Sequence, residues 1–264
     1  SDTIEYKITY ALNGGKVTGN PTTYKKSSKT FTLNNPTKLG YEFLGWTGSN
    51  GSIPQKEVTI EKGSTGDKSY RANWKANTYE IAYNGNGSTS GSMSNSKFTY
   101  DQKQSLKSNE FVREGYTFIG WNTKANGSGT SYSNTQSVIN LTDKNNEVIT
   151  LYAQWAVNKF TVEYNGNGAT GGSTASSSHV YDEEKALTAN GYIRNYTVTY
   201  NYNGNGTANT TATAKYTFKN WNTQADGTGT EYVDKQVVKN LATSGTVTLY
   251  AQWNSGSVKL PTPT

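Results

Sequence analysis

The letters YNGNG at residues 83–87 organise this sequence, because they return at 164–168 and at 202–206, with a looser version, YALNGG, at 10–15. Asn-Gly pairs supply the positive φ angles that tight hairpin turns require, since Gly has no Cβ and Asn tolerates the left-handed region. Each copy therefore predicts a turn between two β-strands. Self-similarity of this kind is the signature of a repeat architecture.

Two further motifs follow each copy in the same order. An aromatic phrase with the letters GYxFxGW stands at 40–46 and 115–121, and the third copy keeps its aromatics as Tyr216, Phe218 and Trp221. Each copy then closes on the letters YRANW or LYAQW, which end at Trp74, Trp155 and Trp253. Motifs that recur in a fixed order predict copies of one folding unit.

The closing tryptophans divide the chain into three modules. We predict that module one covers residues 1–76, module two 77–157 and module three 158–254. Residues 255–264 are expected to begin a following module, because their Leu-Pro-Thr spacing repeats one found early in module one. Each predicted module is long enough to fold as a small domain by itself.

Module three is longer than the other two because of an insertion. Gly191 stands where the aromatic phrase should begin, yet the matching Trp221 comes 30 residues later, after another YNGNG. We therefore expect an extra β-hairpin near 193–214.

Strand signals dominate each module. Residues 4–10 and 160–164 alternate apolar and polar side chains, which is the pattern of half-buried strands. Helix signals are weak, and the best stretch, 104–114, would form one short helix. The predicted fold class is mostly β, α+β at most: three tandem modules with antiparallel sheets and at most one short helix each, in an elongated array.

Aromatic side chains are expected to form most of each core, because Leu, Ile, Val and Phe account for only 41 of the 264 residues. The chain has 20 Tyr and 6 Trp, and one large ring can bury about 150–250 Å². The expected core residues are Tyr10, Phe43, Trp46 and Trp74, then Tyr83, Phe118, Trp121, Leu141, Tyr152 and Trp155, then Tyr164, Phe218, Trp221, Leu241, Tyr250 and Trp253.

Asn140 and Asn240 occupy matching places, each 19 residues after its module's central tryptophan. A side-chain amide can satisfy backbone groups in an irregular loop. We predict that structural role for both.

Composition excludes several kinds of site. The chain has no cysteine and one histidine, so neither a disulfide nor a zinc site is expected. No apolar run reaches the roughly 18–20 residues of a membrane span, and no segment resembles a signal peptide. Asp143 and Asp226 are too isolated from other acidic residues to predict a calcium loop. No cofactor is expected.

An enzyme is not expected either. His179 lies in a polar stretch, 176–179, before a predicted strand, and an acidic run follows at 182–184; we interpret these residues as solvated loop. A nucleophilic triad would need a partnered Ser and an orienting carboxylate beside this histidine. The Asn-Gly turns lack the Lys-Ser/Thr that follows a phosphate-binding loop.

Positive charge is concentrated in module one, which holds 11 Lys and Arg against 6 Asp and Glu, whereas these charges balance in the other two modules. Five of its lysines fall within 23 residues: Lys16, Lys25, Lys26, Lys29 and Lys38. An exposed cluster could attract sulfated glycans, acidic cell-wall polymers or anionic membrane surfaces. Alternatively, the lysines keep an edge strand solvated and prevent sheet association. Nucleic acid is not an expected partner, because the charge is local and Arg is scarce.

The motifs YNGNG, GYxFxGWN, TxAxGxGTxY and LYAQW resemble the Listeria–Bacteroides repeat, the B-repeat type found in internalin B. The resemblance covers modules one and two, and module three apart from its insertion, although module one lacks the long polar turn after Trp46. It implies β-grasp-like modules on the surface of a bacterium, in tandem arrays between a functional head and a cell-wall anchor. It implies no catalytic residues.

Two functions remain open from the sequence. The first is a non-catalytic spacer or stalk in a bacterial cell-surface protein, expected to be monomeric, extracellular and attached to the cell wall through the rest of its parent protein. The second is an adhesin module that binds a host glycan, a host protein or a cell-wall polymer, with the five lysines as the candidate binding residues.

Overall fold

The structure is a computed structural model that describes residues 2–200 and 210–256. These residues form strands and connecting turns and contain no helix. The prediction of a mostly β fold with three tandem modules is therefore confirmed. The YNGNG copy at 202–206 and most of the expected following module, 257–264, lie outside the described residues.

Module one contains a five-stranded sheet in the order β2-β1-β7-β4-β5, and β3 pairs with β6 beside it. Its strands are β1 Tyr6–Ala11, β2 Thr23–Tyr24, β3 Phe31–Thr32, β4 Tyr41–Gly48, β5 Gly51–Gln55, β6 Thr59–Ile60 and β7 Lys68–Ala76.

Module two repeats this plan with the sheet order β9-β8-β14-β11-β12 and a ladder of β10 with β13. Its strands are β8 Thr78–Asn84, β9 Ser96–Thr99, β10 Gln104–Ser105, β11 Tyr116–Asn122, β12 Ser131–Tyr132, β13 Ser137–Val138 and β14 Val148–Val157.

Module three has the corresponding sheet, β17-β15-β25-β22-β23, and a ladder of β18 with β24; two further pairs join β16 to β19 and β20 to β21. Its strands are β15 Lys159–Asn165, β16 Gly171–Gly172, β17 Ser177–Val180, β18 Lys185–Ala186, β19 Tyr192–Ile193, β20 Asn195–Tyr200, β21 Thr210–Lys215, β22 Thr217–Asn222, β23 Glu231–Tyr232, β24 Val237–Val238 and β25 Gly245–Asn254.

The five-stranded sheets are mixed, which corrects the expectation of antiparallel sheets. In every module the first strand pairs in parallel with the closing strand, as in the pairs of β1 with β7, β8 with β14 and β15 with β25. Alternating side chains identify a strand but carry no information on the direction of its neighbour. Strand direction was set by the path of the chain between these strands.

The expected helix at 104–114 is wrong. Residues Gln104–Ser105 form β10, and Val112 pairs with Ser90 in an isolated bridge. The side chain of Asn109 accepts a hydrogen bond from the amide of Phe111, at 2.9 Å. A local side-chain bond of this kind offers the backbone an alternative to helical pairing, so the segment stays extended.

The central tryptophans are buried as predicted. Trp46, Trp121 and Trp221 are at most 1% exposed. Several of the other expected aromatics pack against them, and Phe43, for example, meets Trp46 edge to face at 5.4 Å between ring centroids. Edge-to-face pairs suit the ring quadrupole, so a chain poor in aliphatic residues still builds compact cores.

The core prediction is wrong for Tyr152 and Tyr250, which are only half-buried. The residues on either side of them in the closing strands are the buried ones, because alternate residues of a strand face opposite sides of the sheet.

His179 is buried, which corrects its assignment to a solvated loop. It lies in β17, is 1% exposed, and stacks on Phe160 at 5.2 Å between ring centroids. In module two, Phe98 stacks on Tyr79 in the same position of the sheet. The residues next to His179 in sequence are polar, because alternate residues of a half-buried strand face solvent. For this reason the sequence did not indicate a buried position here.

A β-hairpin lies in the region where the insertion is expected. Strands β20 and β21 pair antiparallel from Asn195 opposite Lys215 to Tyr200 opposite Thr210. These bounds agree with the expected 193–214 to within two residues, and the tip at 201–209 lies outside the described residues.

The chain separates into two compact units. Unit 1 contains the described residues up to Val112 together with Ile119–Gln154, and unit 2 contains Arg113–Phe118 together with the described residues from Trp155 onward. The module boundaries near 76 and 157 stay predictions.

Candidate functional site

The structure divides the five candidate lysines between two places. Lys16 and Lys38 line one cleft of about 570 Å³, which also involves Tyr41, Tyr100 and Asp101. The other three lysines are exposed and follow β2 in the loop that leads to β3, and none of them lines this cleft. The structure therefore unites two of the five lysines in one cleft.

Lys38 is held by its own module. Its Nζ donates a 3.0 Å hydrogen bond to the carbonyl of Asn13 and lies 4.0 Å from the ring centroid of Tyr41. A cation at this distance from an aromatic face is attracted by the ring quadrupole. Lys38 thus supports the wall of the cleft, and Lys16, which is exposed, is the freer of the two cations.

The wall that contains Tyr41 belongs to a junction between modules one and two, which lies in unit 1. Asn77 is the single residue between β7 and β8. Its amide donates to the carbonyl of Gly40, and its carbonyl accepts from the amide of Tyr100, both at 2.9 Å. Its side chain donates to the carbonyl of Asp143 at 2.8 Å. Because backbone and side chain are all bonded, the connection has little freedom to swing.

Side chains from both modules meet at this junction. The hydroxyl of Tyr41 donates to Asp101 at 2.5 Å, and its ring meets that of Tyr100 edge to face at 5.8 Å. Asn140 then holds Asp101, accepting from its amide at 2.5 Å and donating to its carboxylate at 2.9 Å. The predicted backbone-satisfying role of Asn140 is confirmed.

Glycine is required at position 40. Its φ of +80° belongs to the left-handed region, and a Cβ there would lie 2.0 Å from the ring of Tyr100. A side chain at this position would therefore push the two modules apart.

The same arrangement recurs in unit 2. Asn158, alone between β14 and β15, donates from its amide to the carbonyl of Gly115 and accepts from the amide of Tyr181, both at 2.9 Å. The hydroxyl of Tyr116 donates to Asp182 at 2.8 Å, and the rings of Tyr116 and Tyr181 meet edge to face at 6.1 Å. Gly115, like Gly40, has a φ of +80°, and a Cβ at Gly115 would lie 2.0 Å from the ring of Tyr181.

Asn240 completes the second junction as Asn140 completes the first. Its side chain accepts from the amide of Asp182 at 2.6 Å and donates to the carboxylate at 3.0 Å. The prediction for Asn240 is also confirmed. Two junctions of one chain thus have the same residue at each of six corresponding positions, in the same contacts.

Hydrogen bonding shifts the acidities of the junction residues. The bond from Tyr41 lowers the pKa of Asp101, and the bond from Asn140 acts in the same direction. At the second junction Asn240 has the largest effect in lowering the pKa of Asp182, followed by Tyr116. Bonds that stabilise a carboxylate disfavour its protonation, so both junctions are built for ionised aspartates.

The Asn-Gly turns perform a second structural task. Asn86 and Asn167 both have a φ of +47°. The side chain of Asn86 donates to the carbonyl of Ala153, and that of Asn167 to the carbonyl of Ala251, both at 2.8 Å. The turns therefore fasten the closing strands, in addition to reversing the chain.

Sequence reasoning missed Asn122 and Asn222, which directly follow the central tryptophans. Both are at most 1% exposed. Asn122 accepts from the amides of Lys124 and Gly129 at 2.9 Å and donates to the carbonyl of Gly127 at 3.1 Å. The recurring letters WNT were the available signal, since a buried amide at a fixed place can organise a turn.

No cluster of three or more acidic, histidine or cysteine side chains suited to a metal ion occurs among residues 2–200 and 210–256. His179 bonds through its Nε2 to Ser177 at 2.7 Å, and its Nδ1 has no hydrogen-bond partner among the residues that the structure describes, so these residues do not form a triad around it. Within the same described residues, no helix has the length and apolarity needed to cross a membrane.

The relatives of this chain include two proteins of Evansella cellulosilytica. One, named "Putative membrane protein", is 27% identical over 262 residues, which are 97% of this chain and 34% of the relative. Another, named "Putative Gly-rich membrane protein", is 32% identical over 145 residues, which are 52% of this chain and 16% of the relative. The chain thus spans about a third of the first relative and about a sixth of the second.

The sequence profile of the Listeria-Bacteroides repeat domain matches three times, at residues 6–72, 79–154 and 196–252. The three matches cover most of the chain and one falls in each module. The resemblance found in the motifs is thereby confirmed, and the chain belongs to the Listeria-Bacteroides repeat domain family.

Proposed function

We propose that this chain is a non-catalytic spacer segment of a larger bacterial cell-surface protein, and that it is extracellular and monomeric. The observation that carries the proposal is the junction built twice from the same residue types, around Asn77 and around Asn158. A connection whose backbone, side chains and rings are all engaged resists bending. Such a connection suits a segment whose task is to hold neighbouring parts of its parent protein in position.

Two further observations support a spacer. Both relatives are named as membrane proteins, and this chain matches 34% of the length of one and 16% of the other. This suits a segment within a larger surface protein. The single histidine of the sequence is buried and, within the part of the chain that the structure describes, lacks the carboxylate partner that acyl transfer would require. A spacer needs no such site, and its modules need only fold and hold their neighbours.

The experiment displays the chain on bacteria between an anchor and an N-terminal epitope, and measures antibody access to the epitope. Deleting residues 78–158 joins Asn77 directly to Lys159, so that Tyr41 would face the residues that now face Tyr116. We expect the shorter chain to fold and to reduce access of the antibody. Equal access for both lengths would contradict the spacer.

A control variant keeps the length and removes charge. Lys16→Gln leaves all three modules in place and keeps Lys38, which contacts the junction residue Tyr41, so a spacer should give unchanged access. Reduced access in this variant would assign the effect to the lysine cleft and not to length.

Binding of an anionic polymer is a second candidate function, favoured by the cleft that contains Lys16 and Lys38. Two cations beside Tyr41 and Tyr100 suit an acidic glycan or a teichoic acid, because charge attracts the polymer and tyrosines offer amphipathic contacts. Heparin and poly(glycerol phosphate) are the probes. An adhesin would bind one of them saturably and lose that binding in the Lys16→Gln, Lys38→Gln variant, while Lys25→Gln with Lys26→Gln serves as the charge-matched control. Absence of binding to both polymers would contradict the adhesin and leave the spacer as the proposed function.

A further inference from the structure

The insertion of module three lies at the position through which modules one and two each contact the module that follows them. In every module a basic residue lies over the ring of a tyrosine, with its charged atom 3.8–4.2 Å from the ring centroid, and its carbonyl accepts from the amide of that tyrosine. The three pairs are Lys38 with Tyr41, Arg113 with Tyr116 and Arg194 with Tyr216. Two residues separate the pair in modules one and two, whereas 195–215 separate it in module three.

The inserted hairpin supplies a tyrosine of its own to this place. The ring of Tyr196, in β20, meets the ring of Tyr216 edge to face at 4.9 Å between centroids. At the two junctions, Tyr100 meets Tyr41 and Tyr181 meets Tyr116 in the same edge-to-face manner. Tyr196 therefore stands where a following module would place its tyrosine.

The remaining junction positions are changed to match. Lys215 immediately precedes Tyr216, at the position that Gly40 and Gly115 hold in the other modules. Since a Cβ at Gly40 would lie 2.0 Å from the docked tyrosine ring, Lys215 is incompatible with that docking.

The linker position differs as well. Gly256 follows its closing tryptophan by three residues, as Asn77 and Asn158 follow theirs. It has no side-chain amide to donate to a neighbouring module. Its carbonyl instead accepts a 2.8 Å hydrogen bond from the hydroxyl of Tyr196. The hairpin thus forms a hydrogen bond with the linker residue and also supplies the ring contact.

We propose that the hairpin of β20 and β21 is a built-in cap that occupies the module-docking face of module three with Tyr196 in place of a neighbour's tyrosine. A repeat module that follows Gly256 is consequently not held by the junction formed at Tyr41 and Tyr116, and the fixed series of junctions stops at module three. The proposal rests on the contacts of Tyr196 and Lys215 and is independent of the spacer function.

The cap also determines what is presented outward at this face. Thr197, Thr199, Thr211 and Thr213 are exposed, and Thr197 lies opposite Thr213 as Thr199 lies opposite Thr211. A polar threonine face replaces the tyrosine and glycine that would accept another module. This is the surface expected of an end cap, which must be polar to remain soluble.

In the first test, residues 1–256 are followed directly by a second copy of residues 78–157, so that Gly256 occupies the linker position. Hydrogen exchange is measured at the appended amide that corresponds to Tyr100, which donates to the linker carbonyl at the end of the ladder of β8 with β9. In the present chain Tyr196 is bonded to that carbonyl. With the hairpin retained we expect fast exchange. Replacing 195–215 by Glu-Gly, together with Gly256→Asn, should slow this exchange at least tenfold. Equal protection with the hairpin retained would overturn the proposal.

The second test needs no deletion. Tyr196→Ala should increase nitration of Tyr216 by tetranitromethane several-fold, as measured by mass spectrometry of its peptide. Thr199→Ala, on the exposed face of the same hairpin, should leave that nitration unchanged. Unchanged reactivity of Tyr216 in the Tyr196→Ala chain would contradict the cap, whether or not the deletion variant of the first test folds.

Discussion

The hydroxyl of Tyr41 donates a 2.5 Å hydrogen bond to the carboxylate of Asp101, although 60 residues separate them in sequence. The bond joins the start of the aromatic phrase of one module to the turn after the second strand of the next. Its counterpart joins Tyr116 to Asp182. A contact that recurs between corresponding residues is a property of the repeat, and it gives the junction residues distinct and testable roles.

Removing one junction hydroxyl should loosen one junction only. Tyr41→Phe is expected to accelerate hydrogen exchange at the amide of Tyr100, because this amide is bonded to the linker residue Asn77. We expect a several-fold change at Tyr100 and none at Tyr181. Tyr116→Phe serves as the matched variant with the reverse pattern. Equal acceleration at both amides in either variant would contradict independent junctions.

Gly40→Ala should destabilise the chain by more than backbone strain alone. A non-glycine residue at positive φ costs about 1–3 kcal/mol, and here the Cβ would also lie 2.0 Å from Tyr100. Gly63→Ala is the matched control, because Gly63 has a φ of +94° and open space around its Cβ position. Urea unfolding compares the two. A cost for Gly40→Ala no greater than that for Gly63→Ala would show that the ring contact does not constrain this position.

Asn122→Ala should be among the most destabilising single changes in module two. It would leave the amides of Lys124 and Gly129 without their buried acceptor, at about 1–3 kcal/mol for each unsatisfied group. Asn126→Ala changes an exposed amide of the same turn and should cost less than about 1 kcal/mol. Urea midpoints measure both variants, and similar values would remove the organising role of Asn122.

Module three should lose stability at mildly acidic pH. Burial is the main cause that lowers the pKa of His179 from its ordinary 6.5, and Lys185 adds to it. Protonation is therefore easier in the unfolded chain, and stability that is complete above pH 6.5 should fall as the pH decreases below it. Thermal unfolding at pH 7.5 and 5.5 measures the effect.

His179→Phe provides the control, because module two carries Phe98 at the corresponding position. The variant should unfold at nearly the same temperature at both pH values, since no other histidine is present. The pKa values of Asp101 and Asp182 lie below their ordinary 3.8, so these carboxylates stay ionised at both pH 7.5 and pH 5.5. An equal pH dependence in the variant would exclude His179 as its origin.

Features with a local cause could be predicted from the sequence. The Asn-Gly pairs were assigned to turns because positive φ is a property of those residue types, and Asn86 and Asn167 have it. Asn140 and Asn240 were assigned to backbone bonding from their spacing alone. Repetition strengthened each assignment, since a motif seen several times in one order is not accidental.

Features that depend on distant segments could not be predicted. The parallel pairing of β1 with β7 joins residues 60 apart, and alternation does not show strand direction. His179 looked solvated because its neighbours in sequence are polar, whereas the ring of Phe160 decided its burial. The five candidate lysines lie close together in sequence, but only Lys16 and Lys38 line the cleft in the structure.

The sequence by itself determined the repeat, the strands, the turns and the family, because each depends on residues close together in the chain. The tertiary structure decided the junctions and the cap. Gly40 is required only because Tyr100 packs against it, and Tyr196 has its role only because it replaces such a tyrosine on Tyr216. Contacts between residues far apart in sequence form when the chain folds, and no single segment encodes them.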